Sequence, residues 1–251
     1  MQLTDLTWTQ AQALPREIPV VFPVAALEQH GHHLPVFTDS FLLGEIARRA
    51  EAKLGNRALF APLQWLGNSE HHLDFAGTMS ATPRAYLDLL NGMLENFLHH
   101  GFRRLVFING HGGNDVPGRQ VIFEARQRHR HRSDLLLLLF ATYWQLGATP
   151  PLAAAALQQV QMGHACEWET SMMLRIAPHL VRDFKLAKPV SAGNLFEPVA
   201  RGWTTKDRSA QGHIGLPHLA SAEKGEALLS FFSAEVVQLI ERVVAWNGKD
   251  W

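Results

Sequence analysis

The sequence predicts an α/β protein in which helices cover a mostly parallel sheet. Short apolar runs alternate with longer amphipathic stretches, the pattern of repeated strand–helix units. Two of those runs also end in glycine- and histidine-rich turns, where an open parallel sheet binds its ligands. In order, residues 18–27, rich in Val and Ala, form the first strand. A helix follows over 40–54, with Asp39 as its N-cap and Gly55 just past its end. Residues 59–63 read as the second strand. Thr82-Pro83 opens a helix that Gly101 closes, with Tyr86, Leu87, Leu90, Met93, Leu94 and Phe97 at core-facing helical spacing. Residues 105–108 form the third strand, 116–130 a basic helix, and 135–141 a fourth, fully buried strand. Residues 153–161 and 170–176 read as helical, and 220–246 contain a long closing helix. The stretch 187–217, rich in Gly and Pro, has no sustained period, which marks a functional loop or lid. Without internal repeats or low-complexity tracts, the expectation is one domain over residues 1–251.

Composition narrows the function. Lys and Arg total 23 against 23 Asp and Glu, so no basic footprint suggests nucleic acid or anionic lipid as a partner. No apolar run is long enough to span a bilayer, and residues 1–17 lack the basic and apolar regions of a signal peptide. The single cysteine, Cys166, excludes an internal disulfide and suits a reducing, cytoplasmic setting. It reads as a packing residue. Histidine, the commonest metal ligand, is abundant at 14.

Three segments carry chemistry. In Glu28-Gln29-His30-Gly31-His32-His33-Leu34-Pro35, Glu28 and His30 are two apart on extended chain and point the same way. Asp39, at a helix start, turns back toward them. Carboxylate, imidazole and carboxylate make a site for Zn²⁺, Mn²⁺ or Fe²⁺, although an exposed turn with Asp39 acting only as a cap uses the same residues. The turn Asn109-Gly110-His111-Gly112-Gly113-Asn114 suits close approach to a ligand. A phosphate cradle is its rival, but the Lys-Ser/Thr ending of a P-loop is missing. His164-Ala165-Cys166-Glu167-Trp168-Glu169 gathers an acid/base candidate and two carboxylates, with helix capping as the bland alternative.

Together these segments, with Ser69-Glu70-His71, Gly77-Thr78 and the Gly- and Pro-containing run from Gly212 to Gly225, resemble the creatininase (creatinine amidohydrolase) family in content and order. The resemblance covers nearly the whole chain. It implies a three-layer α/β/α domain, a homohexamer, two divalent ions per chain and hydrolysis of a small-molecule amide. By the same resemblance Glu28 and His111 ligate one metal, His30 the other, and Asp39 bridges them. Glu167 completes the second site, with Glu169 as the fallback. His164 is the catalytic histidine, protonating the departing nitrogen after a metal-bridging hydroxide attacks the carbonyl. Ser69, His71 and Gly112 line the substrate pocket. Creatininase has a tyrosine, a glutamate ligand and another glutamate where this chain has Gly112, Gly113 and Gly163, which points away from creatinine. A formamide or peptide is the competing substrate. A noncatalytic binding protein and a nucleotide-binding module are the competing classes.

The remaining histidines draw a plainer reading. His99, His100, His129 and His131 read as solvated, and His32 as exposed or as a support for a ligand. Trp168 and Trp203 are packing groups or a cover for a flat substrate.

Overall fold

The computed structural model describes residues 1–131, 136–147 and 156–250. Four parallel strands, β1 (Val20–Val24), β2 (Leu59–Phe60), β3 (Arg104–Asn109) and β4 (Leu137–Thr142), lie in the order β2-β1-β3-β4. Val20 pairs with Leu59 on one side and Leu105 on the other, and Arg104 pairs with Leu137. The helices are α1 (Trp8–Gln12), α2 (Thr38–Leu54), α3 (Pro83–His99), α4 (Asp115–Arg128), α5 (Glu167–Ile176), α6 (Thr205–Arg208) and α7 (Ala222–Ala245).

The period-2 alternation of the strands builds two cores. Val21, Val106 and Ile108 face a layer of α2, α5 and α7, where they meet Leu42, Leu43, Ile46, Met172, Leu228 and Phe232. Val20, Phe22, Val24, Leu105 and Phe107 face α3 and α4, against Tyr86, Leu90, Leu94 and Val121. With both faces covered, β1 and β3 are buried throughout and therefore read as continuous apolar runs. The result is the expected α/β/α sandwich.

The connections place the site. The chain leaves β1 through α2 on one face and leaves β3 through α4 on the other, and the neighbouring strands β2 and β4 lie to opposite sides. The carboxyl ends of β1 and β3 thus form a topological switch point, where a crevice opens.

Several expected boundaries shift. Asp39 is not an N-cap: Phe37 holds that position without a side-chain cap bond, and Asp39 lies inside the first turn of α2. The second strand is only two residues long. β4 is an edge strand, so Leu137–Ala141 are half-buried rather than fully buried, and Leu135 lies outside the described residues. Residues 156–161 are not helical, and 153–155 lie outside the described residues. The helix expected from Thr170 begins earlier, at Glu167.

Candidate active site

The loop after β1 folds back on itself. Glu28 N–H donates to Val36 O (2.8 Å), and Ser40 Oγ–H donates to Ala26 O (2.8 Å). These bonds carry Asp39 back to Glu28 and His30. After β3, Asn109 clamps His111 by accepting its N–H at 3.1 Å and donating to its carbonyl at 2.7 Å. Asn114 Nδ2 donates to Ala25 O (2.9 Å) and ties the turn to β1. Gly110, His111 and Asn114 spend their backbone N–H groups on Val24 O, Asn109 Oδ1 and His111 O, which argues against the phosphate cradle.

Each imidazole is oriented by a backbone carbonyl. His30 Nδ1 donates to Glu28 O (3.0 Å), which turns Nε2 toward Asp39 Oδ1 (3.1 Å) and Glu169 Oε1 (3.7 Å). His111 Nε2 donates to Asn68 O (2.9 Å), which turns Nδ1 toward Asp39 Oδ2 (3.1 Å) and Glu28 Oε1 (3.3 Å). Fixing the remote ring nitrogen in this way is how proteins present the near one to a metal. Asp39 therefore offers one oxygen to each imidazole.

The electrostatics ask for a cation. Burial pushes Glu28 upward, yet His111 and His72 outweigh it and hold the carboxyl well below the usual range. Burial opposes protonation of His111, but Glu28 and Asp39 overcome it and raise the ring to about 10. Glu28 Oε2 is buried without a hydrogen-bond partner, although protein interiors rarely leave such an atom unpaired. Three groups, Glu28/His30/His164, Glu28/His71/His111 and His30/Asp39/Glu169, each converge within 4.8 Å. Oxygen and imidazole donors with unspent lone pairs fit divalent ions.

Of the two glutamates proposed for the second set, the structure brings Glu169 to the cluster and not Glu167. Glu167 receives Lys224 Nζ at 2.5 Å and the N–H groups of Gln158 (3.0 Å) and Gln159 (2.7 Å). Its oxygens anchor a loop. Glu169, two residues on, points to nearly the opposite side of α5, with Oε1 toward His30 and Oε2 accepting from Cys166 N (3.4 Å). Ala165, just before them, adopts a left-handed φ of +47°, which swings the chain from His164 into α5.

His164 lies at the seam of this cluster. Its Nε2 lies 2.8 Å from Gln29 O and 2.9 Å from Gln29 Nε2, and Nδ1 faces Glu28 Oε1 at 3.6 Å. Burial, with His30 and His72 close by, holds its pKa well below the ordinary value. Cys166 is buried and its thiol is pushed up to about 12 by burial and Glu169, which fits packing rather than nucleophilic work.

The pocket residues divide. His71 and Gly112 line a cavity of ≈ 1000 Å³ above the cluster. Ser69 is fully buried, with Oγ 3.2 Å from His111 Nε2, so it backs His111 instead of lining the wall. A Cβ at Gly112 would meet nothing within 4 Å, whereas one at Gly113 would come to 2.1 Å from Asn68 O and one at Gly163 to 2.2 Å from Ile214 O. The space at Gly112 is open, and the other two glycines are required by packing. His32 is exposed, and Trp168 is buried against Phe232.

Sequence reasoning missed His72. It is buried, with Nε2 3.2 Å from Glu28 Oε1 and Nδ1 2.8 Å from both Gln29 Nε2 and Thr205 Oγ1. His71 and His72 are indistinguishable in the sequence. The 3₁₀ turn Glu70–His72 brings both to the cavity lining and sets only His72 against Glu28.

The family profile described as creatininase (creatinine amidohydrolase) matches residues 4–240. The chain belongs to the creatininase family. It is 28% identical to the mycofactocin precursor peptide peptidase of Mycobacterium ulcerans, over 98% of this chain and 92% of that protein. It is 27% identical to the creatinine amidohydrolase of Pseudomonas putida, over 90% of each. It is 32% identical to the 3-dehydro-scyllo-inosose hydrolase of Thermotoga maritima, over 90% of this chain and 79% of that one. The crystal structure of creatininase superimposes with a TM-score of 0.82 at 26% identity, covering 96% of both chains. Solved relatives at similar likeness include a Zn-Zn form and a Mn form of creatininase. The chain is thus a creatininase-family amidohydrolase with a cluster suited to divalent metal. No helix of its described residues is long and apolar enough to cross a membrane.

Proposed function

We propose that this chain hydrolyses the C–N bond of an amide at two divalent ions, one held by Glu28, Asp39 and His111 and the other by His30, Asp39 and Glu169. The observation that carries this reading is Asp39, whose two oxygens each lie 3.1 Å from a different imidazole. Bound ions of this kind acidify water and polarise a carbonyl. His164 does the proton work at Nδ1. Neutral at rest, it first takes a proton from the attacking water and then returns it to the departing nitrogen. Gln29 O holds the ring in that tautomer through Nε2. His72 steadies Glu28 through Nε2, and Asn68 O and Ser69 steady His111.

The roomy cavity and the open face at Gly112 favour an amide larger than a single small ring, such as a formamide or peptide. Zn²⁺, Mn²⁺ and Fe²⁺ all suit the donors. By family likeness the single domain assembles as a homohexamer, and the buried free thiol accords with a cytoplasmic enzyme. The test is a hydrolysis screen of formamides, short peptides, lactams and creatinine with protein reconstituted with each metal. Turnover of an amide, abolished by chelation, is the expected result. Metal-loaded protein that turns over none of them would favour a noncatalytic relative, or a substrate without an amide such as the inosose of the Thermotoga relative.

A further inference from the structure

The floor and the upper wall of the cavity carry opposite charge. Its acidic lining residues are Glu28, Asp39 and Glu169, all in the cluster, whereas the segment over 187–217 contributes Arg201, Trp203 and Arg208 and no acid. Arg208 is held in place. Its guanidinium stacks 4.5 Å over the Trp203 ring and donates from Nη2 to Ala192 O at 2.9 Å. Trp203 meets His71 edge-on at 5.0 Å, and His71 stacks on His111 at 5.7 Å. One run of contacts therefore leads from Arg208 to the ligand cluster.

What Arg208 lacks is a counter-charge. Arg49, Arg57 and Arg128 each face a glutamate. Among the described residues no carboxylate lies within ion-pair distance of Arg208, and the adjacent Asp207 turns away to accept from Thr204 N at 2.6 Å. A half-buried, pre-oriented guanidinium fork with free donors is the form in which proteins recognise carboxylates and phosphates.

We infer that Arg208, supported by Arg201, is the subsite for an anionic group of the substrate. The amide that this enzyme cleaves thus carries a carboxylate or phosphate beyond its scissile bond. Partial burial lowers the Arg208 pKa with no carboxylate to offset it, a cost that a bound anion removes. The inference rests on the amidohydrolase reading and adds the substrate class to it.

The test compares matched substrates on the metal-loaded enzyme: N-formylglycine, N-formylglycinamide and N-formyl-2-aminoethyl phosphate. The readout is the ratio of kcat/KM for each anion to that of the neutral amide. The wild-type ratio should exceed tenfold, and Arg208→Gln should reduce it by roughly 10–100-fold, as expected for losing a charge-assisted hydrogen bond. Lys206→Gln, on the same short helix but outside the cavity lining, should keep the wild-type ratio. The larger of the two anion ratios tells carboxylate from phosphate. A merely structural loss in Arg208→Gln would lower all three rates alike and leave the ratio unchanged. That result, or a wild-type ratio near one, overturns the subsite. If none of the three is cleaved, the same compounds are titrated against tryptophan fluorescence. Saturation by an anion in wild type but not in Arg208→Gln upholds the subsite even if the amidohydrolase reading fails, and identical titrations overturn it.

Discussion

The floor of the cavity and its wall are built by different rules. The floor rests on strand ends and helix starts, and each imidazole there is aimed by backbone: His30 by Glu28 O, His111 by Asn68 O, His164 by Gln29 O. The wall over 187–217 has little regular structure and hangs on side-chain anchors. Thr205 Oγ1 reaches His72, Arg208 lies on Trp203, and Gln29 Nε2 donates to Gly212 O (2.9 Å). Gln158–Gly163, which line another part of the wall, hang on Glu167 and Lys224. The lesson is that reaction chemistry belongs to the rigid sheet edge, while substrate choice belongs to segments that can vary without disturbing it.

The strongest challenge to this division acts where floor and wall meet. If, as proposed, its ring moves protons without holding an ion, His164→Ala should lose ~10²–10⁴-fold in turnover yet keep its metals. Metal analysis beside steady-state rates checks this, and loss of metal would make His164 a ligand. Breaking the wall anchor is the complementary case. Lys224→Met leaves the Glu167 carboxylate buried without its counter-charge, which should cost about 3–5 kcal/mol in urea unfolding with the floor's metals retained.

A third test lies beneath the floor. His33 is buried with Nε2 on Ala165 O (3.0 Å) and Thr170 Oγ1 (3.1 Å), and burial, helped by His213, lowers it to about 4. An unfolded histidine titrates near 6.5, so the unfolded chain takes up this proton first as pH falls. The contribution to stability is full above about pH 6.5 and lost progressively down to about pH 4, roughly 3 kcal/mol in all. Urea melts at a series of pH values should show the slope, and His33→Gln should flatten it. An equal slope in the variant would assign the effect elsewhere. The smallest effect is at His72, where the wall grips a floor ligand through Thr205. His72→Ala should weaken metal binding by about 10–100-fold without abolishing it, measured by competition with a chelator.

This contrast also explains what the sequence disclosed. Glu28, His30, Asp39 and His111 were legible because they follow recognisable strands at spacings that bring side chains together, and the layered fold was legible because β1 and β3 are continuous apolar runs. Glu167 and Glu169 were not separable. Two carboxylates in one helical turn differ only in direction, and that depends on the left-handed Ala165 and on Lys224, fifty-odd residues further along the chain. Ser69, expected on the pocket wall, lies buried behind His111, and His72 was missed, for a similar reason: an aperiodic segment gives no rule for which side chain faces inward. The anchoring of Arg208 depends on contacts with Ala192 and Trp203 that no periodicity announces.

The central claim is the identity of the second ligand set, and metal stoichiometry tests it most directly. Reconstituted wild type, Glu169→Gln and Glu167→Gln should be compared by elemental analysis after gel filtration. The account predicts about two ions per chain in wild type and in Glu167→Gln, falling to about one in Glu169→Gln. Loss of an ion from Glu167→Gln, with Glu169→Gln fully loaded, would contradict it.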